Sequence, residues 1–110
     1  MNKLLLKSAE SANPDGWAMV VGSYRPFDSS HRGIINQILE QGSRVLICVT
    51  DHAHDQELLP AEEVAAQIRR DLWPEVGRDR VRVMVIPDIG SVNVGPESGY
   101  DIVEWVPTAE

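Results

Sequence analysis

Gly22-Ser23-Tyr24-Arg25-Pro26-Phe27-Asp28-Ser29-Ser30-His31 follows the apolar run Ala18-Met19-Val20-Val21 and precedes the amphipathic stretch Ile34 to Leu39. Apolar run, glycine turn and amphipathic run in that order predict strand, tight turn and helix. Such a turn aims the free N–H groups of the helix start at an anion, phosphate above all. Asp28, Ser29 and Ser30 also have the composition of an N-cap cluster, so capping and ligand contact both stand open for them. His31 stands where an imidazole would meet charge developing on a phosphate. The helix is predicted from about Ser30 to Gln41, with Ile34, Ile35, Ile38 and Leu39 on one face and Gly42 in the C′ position.

Outward from this stretch the chain alternates between two patterns. Trp17 to Val21, Arg44 to Thr50 and Val81 to Ile86 are continuous apolar runs of strand length, the pattern of strands buried on both faces. Between the second and third lies a polar loop, Asp51 to Leu59, and then a helix opened by Pro60. Glu62 and Glu63 sit at the positive end of that helix and Arg69 and Arg70 near its negative end, as the helix dipole favours. Val64, Ile68 and Leu72 give it a core stripe, and Pro74 and Gly77 are expected to close it. Strands alternating with helices predict an α/β domain, a parallel sheet covered by helices. Right-handed crossovers bring all the strand ends to one edge, where open α/β sheets bind their ligands. The Gly22 turn, the Asp51 loop and the Asp88 loop converge there.

Residues 1–16 form an N-terminal extension, and 17–110 the α/β domain. The extension contains the turn signal Asn13-Pro14-Asp15-Gly16. For Lys3 to Lys7 an edge strand, a helix start and an arm onto a partner all stand open. Asp88 to Tyr100 reads as a loop, after which Ile102, Val103, Trp105 and Val106 are expected to dock as a short strand or turn.

A chain of 110 residues suits a single domain. No apolar run approaches the roughly 20 residues that span a bilayer, so the expectation is a cytoplasmic protein without membrane contact. A net charge of −7 argues against nucleic acid as partner, since that surface is usually basic. Cys48 is the only cysteine and lies within Val45-Leu46-Ile47-Cys48-Val49, which makes it a small hydrophobe of a buried strand. Asp51, His52, His54 and Asp55 have ligand-type side chains, but His-x-His supplies two ligands at most, and a solvated loop is the expectation; no metal site is assigned to them. Asp51, at the strand end, is the one of these placed to touch a ligand or Mg²⁺. Trp17, Trp73 and Trp105 are expected as core or interface anchors.

Beyond these patterns, Gly22 to His31 resembles the G-R-F-Q-P-F-H-x-G-H stretch of the cytidylyltransferase-like (HIGH-motif) nucleotidyltransferases, in particular compact adenylyl/cytidylyltransferase-like proteins of bacteriophages. Val49-Thr50-Asp51 is similar to their V-R-D, and Ile86-Pro87-Asp88-Ile89-Gly90-Ser91-Val92-Asn93 with Gly99-Tyr100 to their I-P-D-I-x-S-V-x-Y-G-R-x-V-G-Y. The resemblance spans about residues 17–105. It implies a Rossmann-like three-layer domain with a small parallel sheet, in truncated form. It further implies a domain that binds ATP or CTP and transfers the nucleotidyl group to a phosphorylated acceptor, with Mg²⁺ and release of pyrophosphate. The implied nucleotide-binding residues are Gly22, Ser23, Tyr24, Arg25, Phe27, Asp28, Ser30, His31 and Asp51, with His31 as the catalytic residue.

Several letters depart from the family. Asp28 stands in place of the first motif histidine, Ser30 in place of the glycine between the histidines, and Pro96 in place of an arginine. No I-S-S-T-x-x-R-like stretch follows Val106. The alternative implied by these departures is a degenerate relative, a nucleotide-binding or protein-interaction component, of phage type, that no longer catalyses. Pairing with a second copy or with another protein is compatible with both.

Overall fold

The computed structural model describes residues 16–52, 55, 58–95, 100, 102 and 103, and the backbone of 4–6 and 105–107. The chain divides into two compact units, residues 17–91 and residues 1–16 together with 92–110. In the second unit, strand β1 (Leu4–Leu6) pairs antiparallel with β5 (Trp105–Pro107), Leu4 opposite Pro107 and Leu6 opposite Trp105. Of the three readings open for Lys3 to Lys7, a strand is the one that forms. Residues 92–110, assigned with the α/β domain on sequence, thus cluster with the N-terminal segment.

The first unit carries β2 (Trp17–Gly22), α1 (Ser29–Glu40), β3 (Arg44–Asp51), α2 (Ala61–Asp71), α3 (Trp73–Gly77) and β4 (Val81–Pro87). The three strands are parallel in the order β2-β3-β4. Register aligns Ala18 with Val45 and Val81, then Val20 with Ile47 and Val83, then Gly22 with Val49 and Val85. These rows share one face. Both crossovers step across the sheet in the same direction, so right-handedness lays both helices on that face. Their adjacency shows in the Arg32–Asp71 ion pair, 2.7 Å long, which joins α1 to the end of α2.

The core lies between these layers. Ile35, Ile38 and Leu39 of α1 and Val64, Ala65 and Ile68 of α2 are buried against Val45, Ile47, Val49 and Val81. Burying one such aliphatic side chain is worth about 1.5–3 kcal/mol. Two arginines finish the layer contacts with carbonyls as acceptors: Arg69 Nη2 donates to Val83 O (2.7 Å) and Arg80 Nη2 to Leu39 O (2.8 Å). The second bond adds to the one that the Gly42 N–H makes to the same carbonyl (3.0 Å) at the end of α1.

The opposite face of the sheet differs from the sequence expectation. Met84, beside the buried Cys48, and Met19, beside Leu46, are 44% and 55% exposed. This face is thus partly exposed at its outer strands, while Cys48 and Thr50 of the middle strand are buried on it. An apolar run does not say how many of its faces are covered; here both helices go to the same side. At the strand starts, the Trp17 ring lies between the guanidinium groups of Arg44 and Arg82, each 4.4 Å from its centroid. Asp79, in the left-handed region (φ 57°), holds Arg82 with bonds of 2.9 and 3.0 Å. Asp tolerates that conformation better than most residues.

Helix boundaries show one further difference. Gly42 (φ 92°) takes the left-handed position after α1 as predicted. Pro74, however, opens the short helix α3 and does not merely close α2, because proline fits a first helical turn. Trp73 is 64% exposed and anchors no core.

Two substitutions test the one-sided packing. Ile68→Ala is expected to cost about 2–5 kcal/mol in urea unfolding, as a large-to-small change in a filled core. Met84→Ala should stay within about 0.5 kcal/mol of the parent, the range of exposed sites. Equal losses at both positions would show that the outer face is packed in solution.

Candidate functional site

The turn after β2 is built around one aromatic ring. A Cβ at Gly22 would lie 3.0 Å from Tyr24 Cζ, so glycine is required for the ring to fold back across the strand end. Tyr24 is in the left-handed region (φ 53°), is buried, and burial pushes its hydroxyl pKa well up. Its ring meets Phe27 and His31 edge-on at 5.7 and 5.0 Å, and Phe27 stacks on His31 at 5.8 Å. The Arg25–Pro26 peptide between them is cis.

Arg25 ties this turn to its surroundings. Its Nε donates to Leu59 O (2.8 Å), and its Nη1 donates to Ser23 O (3.0 Å), Ser23 Oγ (2.9 Å) and Thr50 O (3.2 Å). One guanidinium thereby holds together the turn, the end of β3 and the loop before α2.

Asp28 is the N-cap of α1. Its Oδ1 accepts from Ser30 N (3.0 Å), Ser30 Oγ (2.6 Å) and His31 N (3.3 Å), while the Asp28 N–H donates to His31 Nδ1 (3.1 Å). These bonds, the Ser30 hydroxyl first and the His31 backbone N–H next, hold the Asp28 carboxyl below the usual carboxylate pKa. His31 Nδ1 also lies 3.1 Å from Asp28 Oδ1. A nitrogen that accepts the Asp28 N–H carries no proton, so in the neutral ring this contact is not an ion pair, and the ring proton belongs to Nε2. The positive end of α1 is thus occupied by the chain's own anion. Capping, one of the two roles open for this cluster, is the one the geometry displays.

At the strand ends Thr50 Oγ1 lies 3.4 Å from Gly22 O, as its donor, and 2.9 Å from His52 Nε2. His52 Nδ1 is 3.5 Å from Asp88 Oδ2. The ends of all three strands are linked through these side chains, as the convergence of loops at one edge predicts.

Next to this chain of contacts lies a cavity of about 480 Å³. Arg25, Asp51 and His52 belong to its wall, with Leu59 and Pro60 before α2 and Val85 on β4. Of the residues assigned to nucleotide binding on sequence, Arg25 and Asp51 line it, and His52 and Asp55 of the ligand-type loop line it too. Gly22, Ser23, Tyr24, Phe27, Asp28, Ser30 and His31 instead build the turn and the start of α1. Glu62, Leu58 and Leu59 also line the cavity, which no local pattern in the sequence signalled. Among the described residues no group of three or more His, Cys, Asp and Glu side chains is arranged to hold a metal ion.

No family model, curated protein or solved structure gives a significant match to this chain. No helix among the described residues is long and apolar enough to cross a membrane.

The Asp28 cap makes stability depend on pH in a defined direction. A carboxyl whose folded pKa lies below its unfolded value, about 3.9, stabilises the fold above that value, and the contribution fades as pH falls through the folded pKa. Asp28→Ala should therefore lower the thermal midpoint at pH 7 and flatten its fall on acidification below about pH 4. Melting curves of parent and variant between pH 7 and pH 2 measure both effects; parallel curves would remove Asp28 from the account.

Proposed function

We propose that the chain is a nucleotide-binding α/β domain, similar in its sequence signatures to the cytidylyltransferase-like family, that binds ATP or CTP without rapid nucleotidyl transfer. Binding is supported by the convergence of three parallel strand ends on one edge beside a cavity of ligand size. The observation that carries the second half is the Asp28 cap.

Transfer of a nucleotidyl group requires donors fixed opposite the charge that develops at phosphorus. At the start of α1 the Ser30 and His31 N–H groups already serve Asp28. The Arg25 donors Nε and Nη1 serve Leu59, Ser23 and Thr50. The Nε2–H of His31 is the catalytic-type donor that remains at that helix start. Removing a single donor of this kind costs about 10²–10³ in rate, so several such losses leave binding as the activity that survives.

Calorimetry with ATP and with CTP, with and without Mg²⁺, tests this reading. Saturable binding is expected at millimolar nucleotide, with pyrophosphate release at most marginal. Asp28→Asn keeps a good N-cap while removing its charge. It should tighten the triphosphate by about fivefold, since a like charge at contact distance costs on the order of 1 kcal/mol in water. Absence of saturable binding for both nucleotides would reject nucleotide binding, and rapid pyrophosphate release would reject its loss of transfer.

A further inference from the structure

We infer that the outer edge of β2 pairs with the same edge of a second copy of this chain, antiparallel about a twofold axis at Met19, which joins two three-stranded sheets into one of six strands. The inference is independent of the nucleotide-binding reading.

The two outer strands of the sheet are treated differently. β4 is guarded. Arg82 puts an exposed charge on it, and Pro87 ends it without a backbone N–H. Arg80 O accepts from Val45 N of β3, and carbonyls alternate in direction along a strand, so Val83 O, three residues on, faces outward. Arg69 Nη2 occupies that carbonyl. α2 packs over the same strand and leaves Val81 and Val83 buried. Charge, proline and a covering helix are the devices that keep a sheet edge from pairing.

β2 has none of them. Trp17-Ala18-Met19-Val20-Val21-Gly22 holds no charge and no proline, and among the described residues no strand pairs with its outer edge. None of its six residues is buried, not even Ala18 and Val20 on the helix side, because α1 packs chiefly on β3. The Trp17 ring is turned inward across β3 to Arg82, which clears the outer edge of its largest side chain.

What β2 lacks is therefore a neighbouring strand with a helix layer on one face. A second copy supplies both. A strand pairs antiparallel with its own copy about a twofold axis, and an axis normal to the sheet sets like face against like face. With the axis at Met19, Met19 stands opposite Met19, Trp17 opposite Val21 and Ala18 opposite Val20. The Tyr24 turn stays outside the paired stretch, and the two helix layers meet on the side of Ala18 and Val20. Charge does not oppose this contact. The chain carries a net −7, yet no charged residue lies between Gly16 and Arg25.

Sedimentation equilibrium of the full chain from micromolar to millimolar concentration, with cysteine cross-linking, tests the pairing. Expected is a monomer–dimer equilibrium. Met19→Lys sets two ammonium groups opposite each other and should weaken the dimer by about fivefold or more. Met84→Lys, on the guarded strand, should leave it within about twofold. Both methionines are largely exposed, so neither substitution opens the core. Opposite residues of an antiparallel pair have Cα atoms about 4.5–5.5 Å apart, within disulfide range. Met19→Cys should therefore oxidise to a covalent dimer. Val20→Cys should not, since its copy lies two residues along the strand, roughly 8 Å away. The parent chain, with its buried Cys48, is the control. A monomer at every concentration, with no cross-link through Met19→Cys, overturns a second copy as the occupant of this edge. A dimer weakened by Met84→Lys and not by Met19→Lys, or cross-linked through Val20→Cys and not Met19→Cys, overturns it equally.

Discussion

Everything in the 17–91 unit depends on the burial of β3 beneath two helices laid on the same face. Val45, Ile47 and Val49 are fully buried, and Ile35 and Ile68 close over them from α1 and α2. Because both crossovers step the same way, the three strands run parallel and end on a single edge. That packing sets the site before any functional side chain is considered. It brings the Gly22 turn beside Thr50, and Thr50 beside the Asp88 loop.

The two edges of the sheet are held by different forces. At the strand starts, Trp17 lies between Arg44 and Arg82, with Asp79 holding Arg82. That arrangement uses exposed charge and one ring, so it tolerates water. At the strand ends the links are hydrogen bonds to backbone carbonyls, centred on Arg25 and Thr50. A guanidinium used as a clamp has fewer donors left for an anionic ligand. The same holds for Asp28, whose carboxylate stabilises α1 by occupying the position from which a helix start would otherwise bind phosphate. Stability of the turn and affinity for phosphate compete for the same N–H groups.

Much of this architecture is legible in the chain. The three apolar runs, the Ile34–Leu39 face, the Pro60 start and the Gly42 stop each follow from local chemistry, and the elements form within a residue or two of their expected bounds. The turn at Gly22 was legible as a turn. Its internal arrangement was not, because the choice between an open anion seat and a closed cap rests on where the Asp28 side chain points. The exposure of the outer strands was illegible for a similar reason: Met19 and Met84 have the hydropathy of core residues and are largely exposed. Trp73 shows the same limit in a single residue.

The sequence by itself determined an α/β domain with a parallel sheet and placed its loops at one edge, since periodicity, turn residues and crossover handedness are local or topological. Tertiary structure alone decided the rest. It turned Asp28 onto the N–H groups of α1, committed Arg25 to three carbonyls, and brought Asp51, His52, Leu59 and Val85 around one cavity. The Arg25 bonds to Leu59 and Thr50 and the lining of the cavity depend on distances between residues far apart in the chain, which no local pattern encodes. The Asp28 cap, by contrast, is local, and only its side-chain direction had to be seen.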